Sequence, residues 1–298
     1  MYTKDVPSKL FFMIRSPKNL ILAGALFGAL TLSAQTGSAW VQANELFQKT
    51  EYTKSLTILA GKTDPPSLQL QGQNYYMLAD YKKATDALEK ACVTLQTSNC
   101  ALWLGRAYGR RAETSSPFTA PGFATKARQQ FERSLQLDPT NREAAGDLFD
   151  YYLGAPGFLG GGEHKAEALA AKVAEHDPAE GHYYQALIAE HRKEYDSAEN
   201  HLRSALELAP KQVGHFLDLA KFLAQRGKQG ESDALFDQAA KVAPTSPRVL
   251  FERAAAYIKN MRNIGEARRL LQQYLRSPLT PEDPTRAEAE ALLKKTGA

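Results

Sequence analysis

The chain has 298 residues, 43% hydrophobic and 23% charged, with only two cysteines. Its formal charge of +4 sits mostly at the start: Lys4, Asp5, Lys9, Arg15 and Lys18 leave +3 there, and the remainder carries 33 basic against 32 acidic residues. That balance argues against nucleic-acid partners, which need a broad basic footprint, and two thiols with no histidine near them argue against a cysteine-based metal site.

The first 39 residues read as an export signal. A basic region precedes an apolar run from Leu20 to Leu32. That run suits a signal core and is shorter than the roughly 20 residues that span a bilayer. Small residues follow, so cleavage is expected after Ala39, with Ala34 as the alternative point. Cleavage leaves no stable membrane span and places the mature chain in the periplasm. The other reading is an uncleaved inner-membrane anchor. Without a cysteine here, no lipoprotein-type anchor is expected.

Residues 40–66 read as a degenerate helix pair, WVQANELFQ then Tyr52 to Gly61, broken by Thr63-Asp64-Pro65-Pro66. Residues 67–97 form a well-patterned pair with Gly72, Tyr75, Tyr81, Ala84 and Leu88. In the third unit, 98–141, the first helix is expected to end near Arg111 and the second to start near Ala124, around the insertion TSSPFTAPGF. In the fourth, 142–180, LGAPGFLGGG separates a helix ending at Tyr152 from one beginning near Glu163. Both insertions contain Ala-Pro-Gly-Phe, at 120–123 and 155–158. Proline and glycine make stiff turns, and loops this long are uncommon without a function. Two readings stand: Phe118, Phe123 and Phe158 plug gaps between neighbouring units, or the loops form a lip or partner contact.

Units 181–212 and 213–246 are regular. The clearest stretch, 181–210, reads as a helix from His182 to Arg192 and another from Tyr195 to Leu208, with Ala186 and Ala198 at a close crossing. The seventh unit spans 247–279, and TRAEAEALLKKT at 285–296 reads as a cap within 281–298.

The whole pattern is repetitive. A small residue recurs in the second helix at Ala84, Ala127, Ala166, Ala198, Ser232 and Ala267, at spacings of 43, 39, 32, 34 and 35. Helix-ending prolines stand at Pro139, Pro178, Pro210 and Pro244. First-helix signatures appear as Leu68-x-x-Gln71-Gly72-x-x-Tyr75 and Leu104-Gly105-x-x-Tyr108. Over roughly 40–280 this resembles the tetratricopeptide repeat (TPR) family, whose unit is a helix-turn-helix of about 34 residues. The resemblance implies an all-α, right-handed superhelical solenoid of antiparallel helix pairs with a C-terminal capping helix. Residues 117–175 resemble, more narrowly, exported bacterial TPR proteins related to the TPR component associated with TRAP solute transporters. No functional residue is carried over from that match.

No nucleophile elbow, H-E-x-x-H or P-loop is present, so a non-catalytic chain without a cofactor is expected. Gly160-Gly161-Gly162 before a helix could cradle an anion, but Glu163 would compete with it, and a packing loop is the better reading. The six histidines fall between His164 and His215, yet none pairs at i, i+4. They read as solvated, and no metal site is expected. Cys92 and Cys100 flank one turn. In an exported protein they could form a disulfide worth about 2–3 kcal/mol; otherwise they are two buried small hydrophobes.

In a stack of this kind the first helices line a groove. The inward stripe is then Gln69, Gln73, Tyr76, Arg106, Arg110, Asp150, Tyr183, Leu187, Glu190, Lys221 and Phe251. Arg106 and Arg110 lie one turn apart and could fork a carboxylate, or Asp150 could neutralise one of them in an internal network. The function expected is a scaffold in the bacterial cell envelope, holding another protein or a peptide segment in its groove or on its loops. The alternative is a solute-binding accessory of a transporter, with a small solute between its helices.

Overall fold

The computed structural model describes residues 34–297, and the expected signal core at 20–32 lies outside them. Fifteen α-helices occur among the described residues. They are α1 (Ala34–Gln48), α2 (Tyr52–Ile58), α3 (Pro65–Met77), α4 (Tyr81–Thr94), α5 (Ser98–Thr114), α6 (Ala120–Leu137), α7 (Arg142–Gly154), α8 (Glu163–Ala174), α9 (Pro178–His191), α10 (Tyr195–Leu208), α11 (Val213–Gln225), α12 (Gln229–Val242), α13 (Pro247–Lys259), α14 (Ile264–Arg276) and α15 (Arg286–Lys294). No described helix is long and apolar enough to cross a membrane. The chain divides into two compact bodies, one through Ala166 and one from Glu167.

Local chemistry explains where the helices start. Asp64, Asp80, Thr97, Asn141, Asp177 and Thr285 each accept a hydrogen bond from a backbone N–H of the first turn. These side chains satisfy donors that a helix leaves without an internal partner. Pro178 does more than close the preceding helix. It opens α9, where a missing N–H costs nothing, and this shifts the helix start four residues ahead of the expected His182.

Helices pack in sequential pairs: α1 with α2, α3 with α4, α5 with α6, α9 with α10, α11 with α12, α13 with α14. The six recurring small residues are all buried. Ala84, Ala127, Ala166, Ala198, Ser232 and Ala267 are each at most 1% exposed. Two glycines bring helices closer still. A Cβ on Gly72 would lie 2.4 Å from the Leu88 side chain, and one on Gly105 would lie 2.6 Å from Phe131. Only hydrogen fits there.

Five pairs turn tightly around left-handed residues: Thr50, Ala79, Lys193, Gly227, and Met261 with Asn263. Two turns differ, α5–α6 and α7–α8, where the insertions lie. The first is shorter than the sequence suggests. α5 runs on to Thr114 and α6 begins at Ala120, so Ala120-Pro121-Gly122-Phe123 forms a first helical turn. Proline is tolerated there, and only 115–119 remain as loop.

At the far end α15 packs on α13 and α14. Leu279 and Ala289 complete a core with Leu270, Leu271 and Tyr274. Its start carries a capping box, Thr285 with Glu288. Cys92 at the end of α4 and Cys100 at the start of α5 are joined in a disulfide.

Candidate functional site

In the first body the expected stripe residues and their contacts come from three first helices. Tyr76 comes from α3; Trp103, Arg106 and Arg110 from α5; Glu143 and Asp147 from α7. Residues 103, 106 and 110 share one helix face by spacing. Tyr76 sets its ring edge-on to Trp103, 5.4 Å between centroids, and to Tyr81 at 5.7 Å. Gln69 and Gln73 both donate to the Asn99 side chain, at 2.5 and 3.4 Å, tying α3 to the start of α5.

The two arginines do not converge. Arg106 is 2% exposed, its Nε 2.6 Å from Asp147 Oδ2 and its Nη1 2.8 Å from Glu143 Oε2. Its guanidinium also lies 5.4 Å from the Trp103 ring. The partner is therefore Asp147, one turn before the expected Asp150, which is half-buried on the same helix. Arg110 is partly exposed. It pairs with Glu113, donates twice to the Tyr81 hydroxyl at 3.2 Å, and sits over that ring at 5.2 Å. Burial pushes the Tyr76 phenol above its usual range, against the pull of Arg106 and with a push from Asp147. This face thus presents the aromatic edges of Tyr76 and Tyr81 and one partly open guanidinium, over a buried ion pair.

In the second body Tyr183 and Glu190 come from α9, Lys221 from α11 and Phe251 from α13. Lys221 Nζ lies 3.3 Å from Asp218 and 3.4 Å from Glu252. Burial raises the Glu190 carboxyl above its usual range, Asp218 adds to this, and Lys259 and Lys221 oppose it. Tyr183 is buried with its ring 6.2 Å from that of His215. Phe251 packs toward Tyr274, 5.3 Å away. Leu187 is half-buried.

The histidines are not all solvated, contrary to the expectation from their spacing. His215 is buried, not solvated. His182 on α9 and His201 on α10 place their Nδ1 atoms 3.0 Å apart, so one ring donates to the other. Spacing along a single helix could not reveal a pair bridging two. Among the described residues no group of three or more His, Cys, Asp or Glu side chains is placed to hold a metal ion.

The loops form the other candidate. After α7 the chain makes a single 3₁₀ turn, Gly157–Leu159. Tyr151 donates its hydroxyl to Leu159 O at 2.8 Å, Gly162 N donates to Tyr152 O at 2.7 Å, and Lys165 Nζ donates to Gly160 O at 2.9 Å. The glycines serve this geometry. Gly160 and Gly162 hold positive φ, and a Cβ on Gly161 would fall 1.9 Å from Ala155 O. Behind the loop Tyr151, Ala155 and Leu159 form a core with Ala112 of α5 and Ala124 of α6, and Phe123 packs against it. Phe123 also stacks on Tyr108 and lies under Arg111, whose guanidinium is 4.0 Å from the ring centre.

Phe118 and Phe158 do not plug a gap. They are 96% and 83% exposed. The turns are held by Leu159 and Phe123 instead, which leaves no inward position for the other two rings. Two adjoining turns of the first body, tied through one small core, therefore each hold a phenylalanine out into solvent.

No family model matches this chain, and no curated protein is similar to it in sequence. Solved structures are similar in fold. A tetratricopeptide repeat protein from Parabacteroides merdae is 14% identical, covers 88% of this chain and 98% of its own length, and superposes with a TM-score of 0.54. A thermophilic TPR protein from Thermus thermophilus is 18% identical, with 63% and 98% covered and a TM-score of 0.49. The C-terminal part of a TPR repeat-containing protein from Cytophaga hutchinsonii is 20% identical, with 85% and 99% covered and a TM-score of 0.46.

Proposed function

We propose that this chain, whose fold is that of tetratricopeptide-repeat proteins, is a non-catalytic scaffold that holds a segment of another protein. Helix-pair arrays bury their cores between neighbours and leave long faces free for recognition. The observation that carries the reading is the pair of exposed rings, Phe118 and Phe158, on tightly held turns. Exposed aromatic side chains on rigid backbone lose little entropy on binding and are typical anchors of an interface. The adjoining face of Tyr76, Tyr81 and Arg110 supplies stacking edges and a cation for the same partner.

The setting we propose is the bacterial cell envelope, on the strength of the basic and apolar N-terminal sequence. A transporter accessory holding a small solute is the alternative. The packing of Tyr151, Ala155 and Leu159 behind the second turn favours an open contact over an enclosed one. The test is a quantitative pull-down from envelope extract with the tagged protein and with Phe118→Ser/Phe158→Ser. A stoichiometric protein captured by the first and reduced at least about tenfold with the second supports the scaffold; equal capture by both removes the turns from the contact.

A further inference from the structure

Six turns lead from one helix pair to the next among the described residues, and five carry proline. Pro65 and Pro66 open α3, Pro139 lies between α6 and α7, and Pro178 opens α9. Pro210 lies between α10 and α11, and Pro244 and Pro247 serve α12–α13. The sixth turn, α4–α5, is Leu95-Gln96-Thr97. It has no proline, and it alone is bridged by a disulfide, Cys92–Cys100. Proline limits the conformations a turn can visit when it opens; a disulfide across eight residues does the same, more severely.

We propose that this disulfide is the clamp of the α4–α5 turn in place of proline, and that reduction by a dithiol loosens that one joint. The joint matters because of what α5 carries. Its first residues hold Asn99 against Gln69 and Gln73 of α3. Its next turns hold Trp103 against Tyr76, and Arg106 against Asp147. A loosened α4–α5 turn frees the start of α5 and relaxes the spacing of α3 and α5 on which that face depends.

The chemistry is an ordinary exchange. Cys92 is half-buried at the edge of an open groove lined by Val93, Leu104, Tyr108 and Arg133, whereas Cys100 is fully buried. A thiolate of the dithiol attacks Cys92 Sγ, the S–S bond breaks, and Cys100 leaves as thiolate and takes a proton. The second thiol of the reagent then displaces the mixed disulfide. The protein gains two electrons and two protons as two thiols, and the reagent becomes its own disulfide. A thiolate leaving into a buried site is disfavoured, so the exchange is slow until the turn opens.

The test is hydrogen exchange followed by peptide mass spectrometry, with and without dithiothreitol, on the protein and on Cys92→Ala/Cys100→Ala. In the reduced protein, and in the variant without reductant, amides of 93–102 should exchange at least about tenfold faster. The proline turns at 138–141 and 209–212 should stay unchanged, and dithiothreitol should do nothing to the variant. Trp103 emission, read in a Trp40→Phe background, should shift on reduction as α3 and α5 separate. Unchanged exchange at 93–102 would overturn the proposal. So would equal acceleration at every turn of the first body, which would make the disulfide a general stabiliser and not the clamp of one joint.

Discussion

Replacing Asp147 with asparagine tests whether Arg106 is a structural cation or one held ready for a ligand. Arg106 keeps its charge at 2% exposure, with Asp147 at 2.6 Å and Glu143 at 2.8 Å. At such spacing the attraction is about 6 kcal/mol at an effective dielectric of 20, much of it offset by the cost of burying the charges, and removing one member of a buried pair costs about 3–5 kcal/mol. Glu143 remains, partly exposed, and recovers some of this. Asp147→Asn should therefore destabilise the first body by about 3 kcal/mol, a fall in Tm of roughly 6–12 °C. Removing both deeply buried charges in Arg106→Met/Asp147→Leu should return the stability to within about 1 kcal/mol of the parent, because the one charge left without its partner, Glu143, is partly open to solvent. Both tryptophans, Trp40 and Trp103, lie in the first body, so urea unfolding followed by tryptophan fluorescence reads that body alone. A single variant costing less than about 1 kcal/mol, or a double variant as unstable as the single, would refute the reasoning.

Gly72→Val and Gly105→Val should each cost about 1–3 kcal/mol, since a Cβ meets Leu88 or Phe131. Gly122→Ala, in the first turn of α6 with open space around it, should be neutral to stabilising by up to about 1 kcal/mol; thermal melts separate the two cases. Phe118→Ser/Phe158→Ser should change unfolding by less than about 0.5 kcal/mol, as exposed rings hold no core together. Burial, with a smaller push from His182, holds the His201 imidazole below its usual range of about 6.5. Folding therefore favours the neutral ring: its contribution is complete above that range and is lost as pH falls through the folded value. Glu190, raised by burial, acts in the opposite sense in parent and variant alike. The stability difference between the parent and His201→Asn should thus shrink from pH 8 to pH 5; a constant difference would contradict the shift.

Much of the fold is legible in the sequence because tight crossings tolerate few residue types. Ala84, Ala127, Ala166, Ala198, Ser232 and Ala267 recur at the period of a helix pair, and all are buried. The ends of α5 and α6 are less legible, since Pro121 breaks a helix interior yet opens a helix readily. Phe118 and Phe158 look like core residues by type, and only the hydrogen bonding of the turns shows that Leu159 and Phe123 take the inward positions. Asp147 and Asp150 are three residues apart on one helix, so a small rotation of α7 decides which meets Arg106. The His182–His201 contact bridges two helices, and its distance along the chain carries no signal of it.

The most direct test of the scaffold reading is photo-crosslinking with a benzophenone amino acid placed singly at position 118 or 158, and at exposed Met261 of the second body as a control. The account predicts that 118 and 158 capture the same protein from envelope extract, in yields well above that at 261. Crosslinks at 118 and 158 that match the control in identity and yield would contradict it.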